Sequence, residues 1–153
     1  MTTKQAQDAI ALLTSQHKEV TAMFKEFEEL GDRAKAGKKK IADKICQNLV
    51  MHTMIEEEIF YPAVRERSKE AEEMVEEAIV EHASAKDLIA QIQEMDPDEE
   101  LYDAKVKVLG EMIEHHVEEE EKEMFPKVRK MGLDLETLGQ EMKARGDEIM
   151  ASS

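Results

Sequence analysis

Two short stretches of this chain carry the same pair of chemically active side chains. His52 is followed four residues later by Glu56, and His116 is followed four residues later by Glu120. Residues four apart lie one turn apart on the same face of a helix, so each pair presents an imidazole and a carboxylate to one point. A mixed imidazole and carboxylate set suits iron or manganese, whereas structural zinc usually takes thiolates. The two pairs therefore predict metal binding.

Both pairs belong to a longer internal repeat. Aligning residues 52–65 with residues 116–129, an offset of 64, brings identical residues together at six of fourteen positions. His17 and His82 repeat with an offset of 65. The repeat yields two matched sets of candidate metal ligands, which are His17, His52 and Glu56, and His82, His116 and Glu120. We therefore expect a pseudo-symmetric site for two ions of one kind.

An alternative interpretation is that the histidines are ordinary core residues and that Glu56 and Glu120 are surface glutamates. Both glutamates fall on otherwise apolar stripes, and an unpaired carboxylate in an apolar seam costs several kcal/mol. That cost would have to recur at matched positions of the repeat. The dinuclear interpretation is favoured for this reason.

Hydrophobic periodicity places all six candidates on the inner faces of helices. Apolar residues at steps of three and four predict four long helices, over about residues 5–30, 38–65, 68–95 and 98–131. Asp134 is expected to cap a short fifth helix over about residues 134–150. Short connections between long helices force neighbours to run antiparallel. The sequence predicts one all-α domain over residues 1–153, an up-down-up-down four-helix bundle with a C-terminal fifth helix.

Two prolines stand late in the second and fourth helical patterns. Pro62 and Pro126 each lack a backbone N–H and crowd the carbonyl four residues earlier. We expect each proline to kink or loosen the final turn of its helix without ending it. Tyr61 and Phe125, which precede the prolines, are expected to close one end of the core.

Charge and composition exclude several classes of partner. The net charge is −15, with 36 acidic against 21 basic residues, so nucleic acid and anionic membranes would be repelled. The one basic run, Lys38-Lys39-Lys40, is expected to be solvated surface. No signal peptide or membrane-spanning apolar run is visible, and a single cysteine, Cys46, fits a reducing compartment. A cytoplasmic location is expected.

The order of the candidates resembles one known family. His, then His-x-x-x-Glu, then His, then His-x-x-x-Glu is similar to the hemerythrin-like HHE cation-binding domain family, over about residues 10–130. The Glu-x-x-His pairs of ferritin-like proteins do not occur. The resemblance implies a non-haem di-iron centre, oxo- or hydroxo-bridged, with manganese as the alternative metal. It carries over to His17, His52, Glu56, His82, His116 and Glu120.

One departure from the family pattern bears on function. Oxygen-carrying hemerythrins place a second histidine four residues after the third-helix histidine, and here that residue is Lys86, while Thr21 follows His17. Four histidines, two bridging carboxylates and an oxo or hydroxo bridge give ten bonds, which leaves about two coordination positions open on a pair of six-coordinate irons. This favours redox chemistry on peroxide, nitric oxide or O2, through an unidentified redox partner. The alternatives are an O2 or iron carrier, sensor or store without turnover, and a helical interaction module with incidental histidines.

Four neighbouring residues have open roles. Lys86 is either a proton donor over the site or a side chain that extends its ammonium to the bundle edge. His115 is either a fifth ligand or proton relay, or a helix-edge histidine. Glu57 and Glu121 either accept hydrogen bonds from ligating imidazoles or point outward.

Overall fold

The computed structural model describes residues 8–31 and 33–152, and every regular element in these ranges is helical. We number the α-helices α1 to α7 and the two π-helical turns π1 and π2. The elements are α1 (Ala9–Glu29), α2 (Lys35–Ile55), π1 (Glu56–Phe60), α3 (Tyr61–Arg65), α4 (Lys69–Glu94), α5 (Tyr102–Glu119), π2 (Glu120–Met124), α6 (Phe125–Arg129) and α7 (Leu135–Ala151). No helix within the described ranges combines the length and the apolar composition that crossing a membrane requires.

Side-chain caps explain where several helices begin. Asp8 and Ser68 accept hydrogen bonds from backbone N–H groups three residues later, at the starts of α1 and α4. Asp134, the expected cap, does the same at the start of α7. The fourth long helix begins at Tyr102 rather than near residue 98, because residues 96–102 form a turn in which the Glu99 carboxylate accepts from the Asp96 N–H.

Each proline is accommodated by one extra residue in the helix. The N–H of Tyr61 bonds to the carbonyl of Glu56, and the N–H of Phe125 bonds to that of Glu120, five residues apart instead of four. Pro62 then lies in the first turn of α3, where a missing N–H costs little. The expected loosening is therefore a π-helical turn before each proline, and both turns begin at a candidate glutamate ligand.

The four long helices contact one another in a closed ring, because α1 packs on α2, α2 on α4, α4 on α5 and α5 on α1. The last helix, α7, packs against α1, α2 and π1. Two apolar clusters fill the interior. Along α1 the order is Leu13 in the first cluster, His17, and Val20 in the second cluster. The candidate ligands thus form a polar layer between two apolar ones.

One expectation about the surface is wrong. Lys38 is only 3% exposed, and its Nζ lies 2.8 Å from Oδ2 of Asp103 and 5.9 Å from the ring centroid of Phe27. Because α2 begins at Lys35, the Lys38 stem packs inward and its ammonium reaches the first turn of α5. Lys40 remains exposed, as expected.

Candidate metal centre

The six candidate ligands are brought together and withdrawn from solvent. Their exposed fractions are 6% for His17, 5% for His52, 0% for Glu56, 3% for His82, 7% for His116 and 2% for Glu120. Buried ionisable groups require a partner, because leaving an isolated charge in an apolar interior is strongly unfavourable. The apolar layers on either side of these side chains supply no such partner.

The donor atoms form two groups of three, but the grouping differs from the expected one. Donor atoms of His17, His52 and Glu120 lie within 4.8 Å of one another, and so do those of Glu56, His82 and His116. Each group could hold a metal ion. The two glutamates have exchanged places relative to the repeat. A glutamate side chain is long enough to reach past the histidine on its own helix, and both glutamates do so.

Each carboxylate lies between imidazoles of both repeats. Glu120 places Oε1 3.2 Å from Nε2 of His17 and Oε2 3.4 Å from Nε2 of His116. Oε1 of Glu56 lies 3.4 Å from Nε2 of His52 and 3.0 Å from Nε2 of His82. A carboxylate in this position can contact two ions at once, which is the role of a bridging ligand.

All four imidazoles are oriented by a hydrogen bond at Nδ1. The acceptors are Glu121 for His17 at 2.8 Å, Gln16 for His52 at 2.6 Å, Glu57 for His82 at 2.6 Å and Glu81 for His116 at 2.7 Å. A neutral imidazole that donates from Nδ1 carries its lone pair on Nε2. The four lone pairs are therefore directed into the candidate centre, as metal-binding histidines require.

For two of these acceptors, Glu57 and Glu121, the sequence left open whether they bind an imidazole or point outward. The other two, Gln16 and Glu81, were not predicted. Glu57 and Glu121 each follow a glutamate ligand and accept from an imidazole rather than pointing outward. Gln16 and Glu81 each precede the first histidine of a repeat, with the same offset of 65 as the histidines themselves. That offset was the signal that could have found them.

Several inward-facing atoms have no hydrogen-bond partner. They are Nε2 of His17, Nε2 of His52, both oxygens of Glu56 and Oε1 of Glu120. Nε2 of His82 and Nε2 of His116 lie 3.2 Å apart, within hydrogen-bond distance of each other. An unsatisfied buried polar atom costs about 1–3 kcal/mol. A metal cation would satisfy all of these atoms together, so the residues fit one.

The pKa values of the glutamates describe the metal-free protein. Burial, together with the nearby Glu120 carboxylate, raises the pKa of Glu56 well above its ordinary value. Burial also opposes ionisation of Glu120, but His116 and its hydrogen bonds outweigh it and hold the pKa of Glu120 well below its ordinary value. Burial therefore favours the neutral form of Glu56, whereas the neighbouring histidines favour the ionised form of Glu120.

The pKa values of two of the candidate histidines are also shifted in opposite directions. Burial keeps the pKa of His52 well below its ordinary value. Burial would also lower the pKa of His116, but Glu120 and Glu81 outweigh it and raise the pKa to about 9. His116 therefore carries a proton at neutral pH in the absence of metal, and a bound cation would have to displace it.

Lys86 and His115 lie outside both donor groups. Nζ of Lys86 is 3.0 Å from each oxygen of Glu57, and the lysine side chain is 41% exposed. Lys86 therefore lies at the edge of the helices and pairs with Glu57, the residue that accepts a hydrogen bond from His82. His115 is 70% exposed and its Nε2 lies 3.1 Å from Oε1 of Glu119, which fits a helix-edge histidine and not a fifth ligand.

The aromatic residues before the prolines behave differently from each other. Tyr61 reaches the centre, with its hydroxyl 3.4 Å from Nε2 of His82. Phe125 lies parallel to His17, with ring centroids 6.0 Å apart. Tyr61 is thus a polar neighbour of the candidate ligands as well as part of the core.

A cavity of about 200 Å³ adjoins all four imidazoles. Apolar side chains make up much of the rest of its wall, among them Val20, Leu49, Ala85 and Met112. The volume holds a molecule of a few heavy atoms beside the candidate centre. Its wall favours a small uncharged ligand.

The chain belongs to the hemerythrin family, since the family model for the Hemerythrin HHE cation binding domain matches residues 8–128. A hemerythrin HHE cation-binding domain-containing protein from Mycobacterium kansasii, known from a crystal structure, superposes with a TM-score of 0.81. That comparison covers 95% of this chain and 89% of the other at 23% sequence identity, and it shows a shared fold.

A curated relative, a protein of Nostoc sp. called DNA nickase, is 27% identical over 126 residues. The match spans 82% of this chain but only 35% of that protein, so the chain corresponds to about a third of its length. The family and the two donor groups together characterise this chain as a cation-binding helical domain.

Proposed function

We propose that this chain is a non-haem di-iron protein whose centre reacts with a small oxygen or nitrogen species, namely peroxide, nitric oxide or O2. The observation that carries the proposal is the placement of Glu56 and Glu120, each between imidazoles of both repeats. His17 and His52 would hold one iron, His82 and His116 the other, and the two glutamates would bridge them. Iron in such a site supplies redox chemistry to a small ligand, and manganese is the alternative metal.

The donor count supports a centre with room for a ligand. Thr21, one of the two positions where a fifth histidine would stand, is exposed, and Lys86 is bound to Glu57. Neither side chain joins the donor groups. The described donors are therefore four imidazoles and two carboxylates, and with an oxo or hydroxo bridge they would leave about two positions open on a six-coordinate pair.

The chain's own residues would control access and protons. The apolar wall of the cavity limits water around the centre, which strengthens electrostatic interactions there. The Tyr61 hydroxyl holds a proton between Glu120 and His82. We also propose that the four long helices run antiparallel within a single domain, which the short connections support. A cytoplasmic location is a further part of the proposal, supported by the one buried cysteine.

A second candidate function is binding of O2 or iron as a carrier, sensor or store without turnover. The observation that favours it is the position of Lys86, whose ammonium is held by Glu57 and does not face the centre. The proton donor that a turnover mechanism would use at that position is therefore engaged elsewhere.

Metal analysis of anaerobically loaded protein tests the proposal. We expect about two irons per chain, an optical change on adding peroxide, nitric oxide or O2, and loss of iron in His116→Ala. His115→Ala is the matched control, because the adjacent exposed histidine belongs to neither buried donor group and its loss should leave the iron content of the centre unchanged.

Less than one iron per chain, or full iron content in His116→Ala, would overturn the dinuclear site. Reversible O2 binding, with peroxide consumed no faster than by free iron, would replace redox turnover by the second candidate function.

A further inference from the structure

A second, smaller cavity leads from the surface to the candidate centre. It lies between α4 and the junction of α5 with π2, and its volume is about 60 Å³. His116 and Glu120 form part of its wall. Four further carboxylate side chains line it, which are Glu77, Glu81, Glu119 and Glu123. We call these four residues the acidic rim.

The acidic rim concentrates negative charge without local compensation by basic residues. Glu77 and Glu81 are one turn apart on α4, and Glu119 and Glu123 are one turn apart along α5 and π2. Like charges at this spacing destabilise a helix. Among residues 8–31 and 33–152, no lysine or arginine forms an ion pair with any of the four; Glu119 contacts His115, Glu81 contacts His116, and Glu81 and Glu119 share a hydrogen bond. Such a cluster attracts cations.

Part of the acidic rim has the composition of a metal site. Donor atoms of Glu81, His115 and Glu119 lie within 4.8 Å of one another. This group offers the same donor types as each buried group, one imidazole being replaced by a second carboxylate. Glu81 also accepts from Nδ1 of His116 at 2.7 Å, so the outer group and the buried centre share a contact.

An unpartnered ligand atom lies at the inner end of the cavity. Glu120 is 2% exposed, it lines the cavity, and its Oε1 has no hydrogen-bond partner. An ion that leaves the outer group would next meet His116, whose Nε2 lies 3.4 Å from Oε2 of Glu120, and then this carboxylate. The larger cavity is also lined by Glu81 and His115, but much of its wall is apolar and Glu81 is the one carboxylate among its lining residues.

We propose that divalent cations are captured by Glu81, His115 and Glu119 and pass along the acidic rim to the buried centre. This proposal rests on the proposed dinuclear function and adds the route by which the centre is filled. The rim acts during loading and holds no permanent ligand of the centre.

Loading kinetics of the metal-free protein test the route. The test variant is Glu77→Gln with Glu119→Gln and Glu123→Gln, which leaves Glu81 in place to orient His116. Anaerobic stopped-flow mixing with Fe2+ should show loading about tenfold slower than in the wild type, with the same final iron content. The difference should shrink at high ionic strength.

The matched control is Glu26→Gln with Glu28→Gln and Glu29→Gln, three exposed glutamates at the end of α1. It makes the same change in net charge away from the rim, and its loading rate should equal that of the wild type. Equal rates in the test and control variants would overturn the route while leaving the dinuclear centre intact. A lower final iron content in the test variant alone would also overturn it, because the rim would then supply equilibrium ligands.

A second measurement addresses the outer group directly. Iron-loaded protein titrated with Mn2+ should bind one additional, weaker Mn2+ per chain by electron paramagnetic resonance, and His115→Ala should abolish that binding. No additional Mn2+ in the wild type would overturn the capture group. Failure of the wild type itself to take up iron would instead overturn the proposed function.

Discussion

The Tyr61 hydroxyl donates a hydrogen bond of 2.5 Å to Oε2 of Glu120, a residue of the other repeat. Phe125, the counterpart of Tyr61, has no hydroxyl to offer Glu56, and neither oxygen of Glu56 has a hydrogen-bond partner. The two carboxylates are therefore inequivalent although their spacing to histidine is identical. The centre is symmetric in its donors and asymmetric in its surroundings.

Replacing Tyr61 by Phe tests this asymmetry. The variant leaves a buried carboxylate oxygen without its donor, so the free energy of unfolding of the metal-free protein should fall by about 1–3 kcal/mol. Chemical denaturation measures the change. Tyr102→Phe is the control, because the Tyr102 hydroxyl is buried without a hydrogen-bond partner and its removal should cost nothing. Equal losses in both variants would contradict the assignment.

Glu57→Gln tests the orientation of His82. The amide cannot stabilise the imidazole as the carboxylate does, and it also loses the ion pair with Lys86. We expect metal affinity to fall by about tenfold or more, measured by competition with a chelator. Glu58→Gln should leave the affinity unchanged, because Glu58 pairs with Arg145 on α7 outside the centre. A similar loss in both variants would indicate a general effect of charge.

Proton release on loading follows from the pKa values of two candidate ligands. The pKa of His116 is about 9, so it carries a displaceable proton at pH 7, and burial raises the pKa of Glu56 in the same sense. A cation must displace the His116 proton, so loading should release protons, about one per chain from His116 alone. Because protons compete with the metal, affinity should fall as the pH falls. Calorimetry in buffers of different ionisation enthalpy counts the protons, and loading without release would contradict the prediction.

The ion pair between the buried Lys38 and the half-exposed Asp103 predicts a stability effect away from the centre. Asp103→Asn removes the carboxylate 2.8 Å from the Lys38 ammonium and should lower the free energy of unfolding by about 1–3 kcal/mol. Asp43→Asn breaks the more exposed pair with Lys39 and should cost about 0–1 kcal/mol. Metal content should stay unchanged in both variants. A larger loss in Asp43→Asn than in Asp103→Asn would show that burial of Lys38 does not increase the contribution of its ion pair to stability.

Much of the helical architecture could be predicted because apolar residues recur at steps of three and four along the sequence. The candidate histidines stand at positions of these same stripes. His17 and His82 occupy stripe positions, so periodicity alone places them inside. The exchange of Glu56 and Glu120 between donor groups could not be predicted, because a stripe identifies the face of a helix and not the reach of a side chain.

Residues beside the stripe were harder to assign. Gln16 and Glu81 lie about 100° around the helix from the histidines that follow them, and their hydrogen bonds go to histidines on other helices. Lys38 stands in a run of three lysines, which locally favours solvent. Inside the fold its ammonium contacts Asp103, 65 residues further along the chain, which a local reading of the run does not reveal.

The two π-helical turns also divide the centre into halves. A π-helical turn corresponds to one extra residue in an α-helix. Both turns start at the glutamate of a His-x-x-x-Glu pair and precede a proline, at positions 64 residues apart. Each repeat therefore carries half of the candidate ligands together with its own widened turn. A donor group is complete only where the two repeats meet, because each group takes its glutamate from one repeat and its histidines from the other.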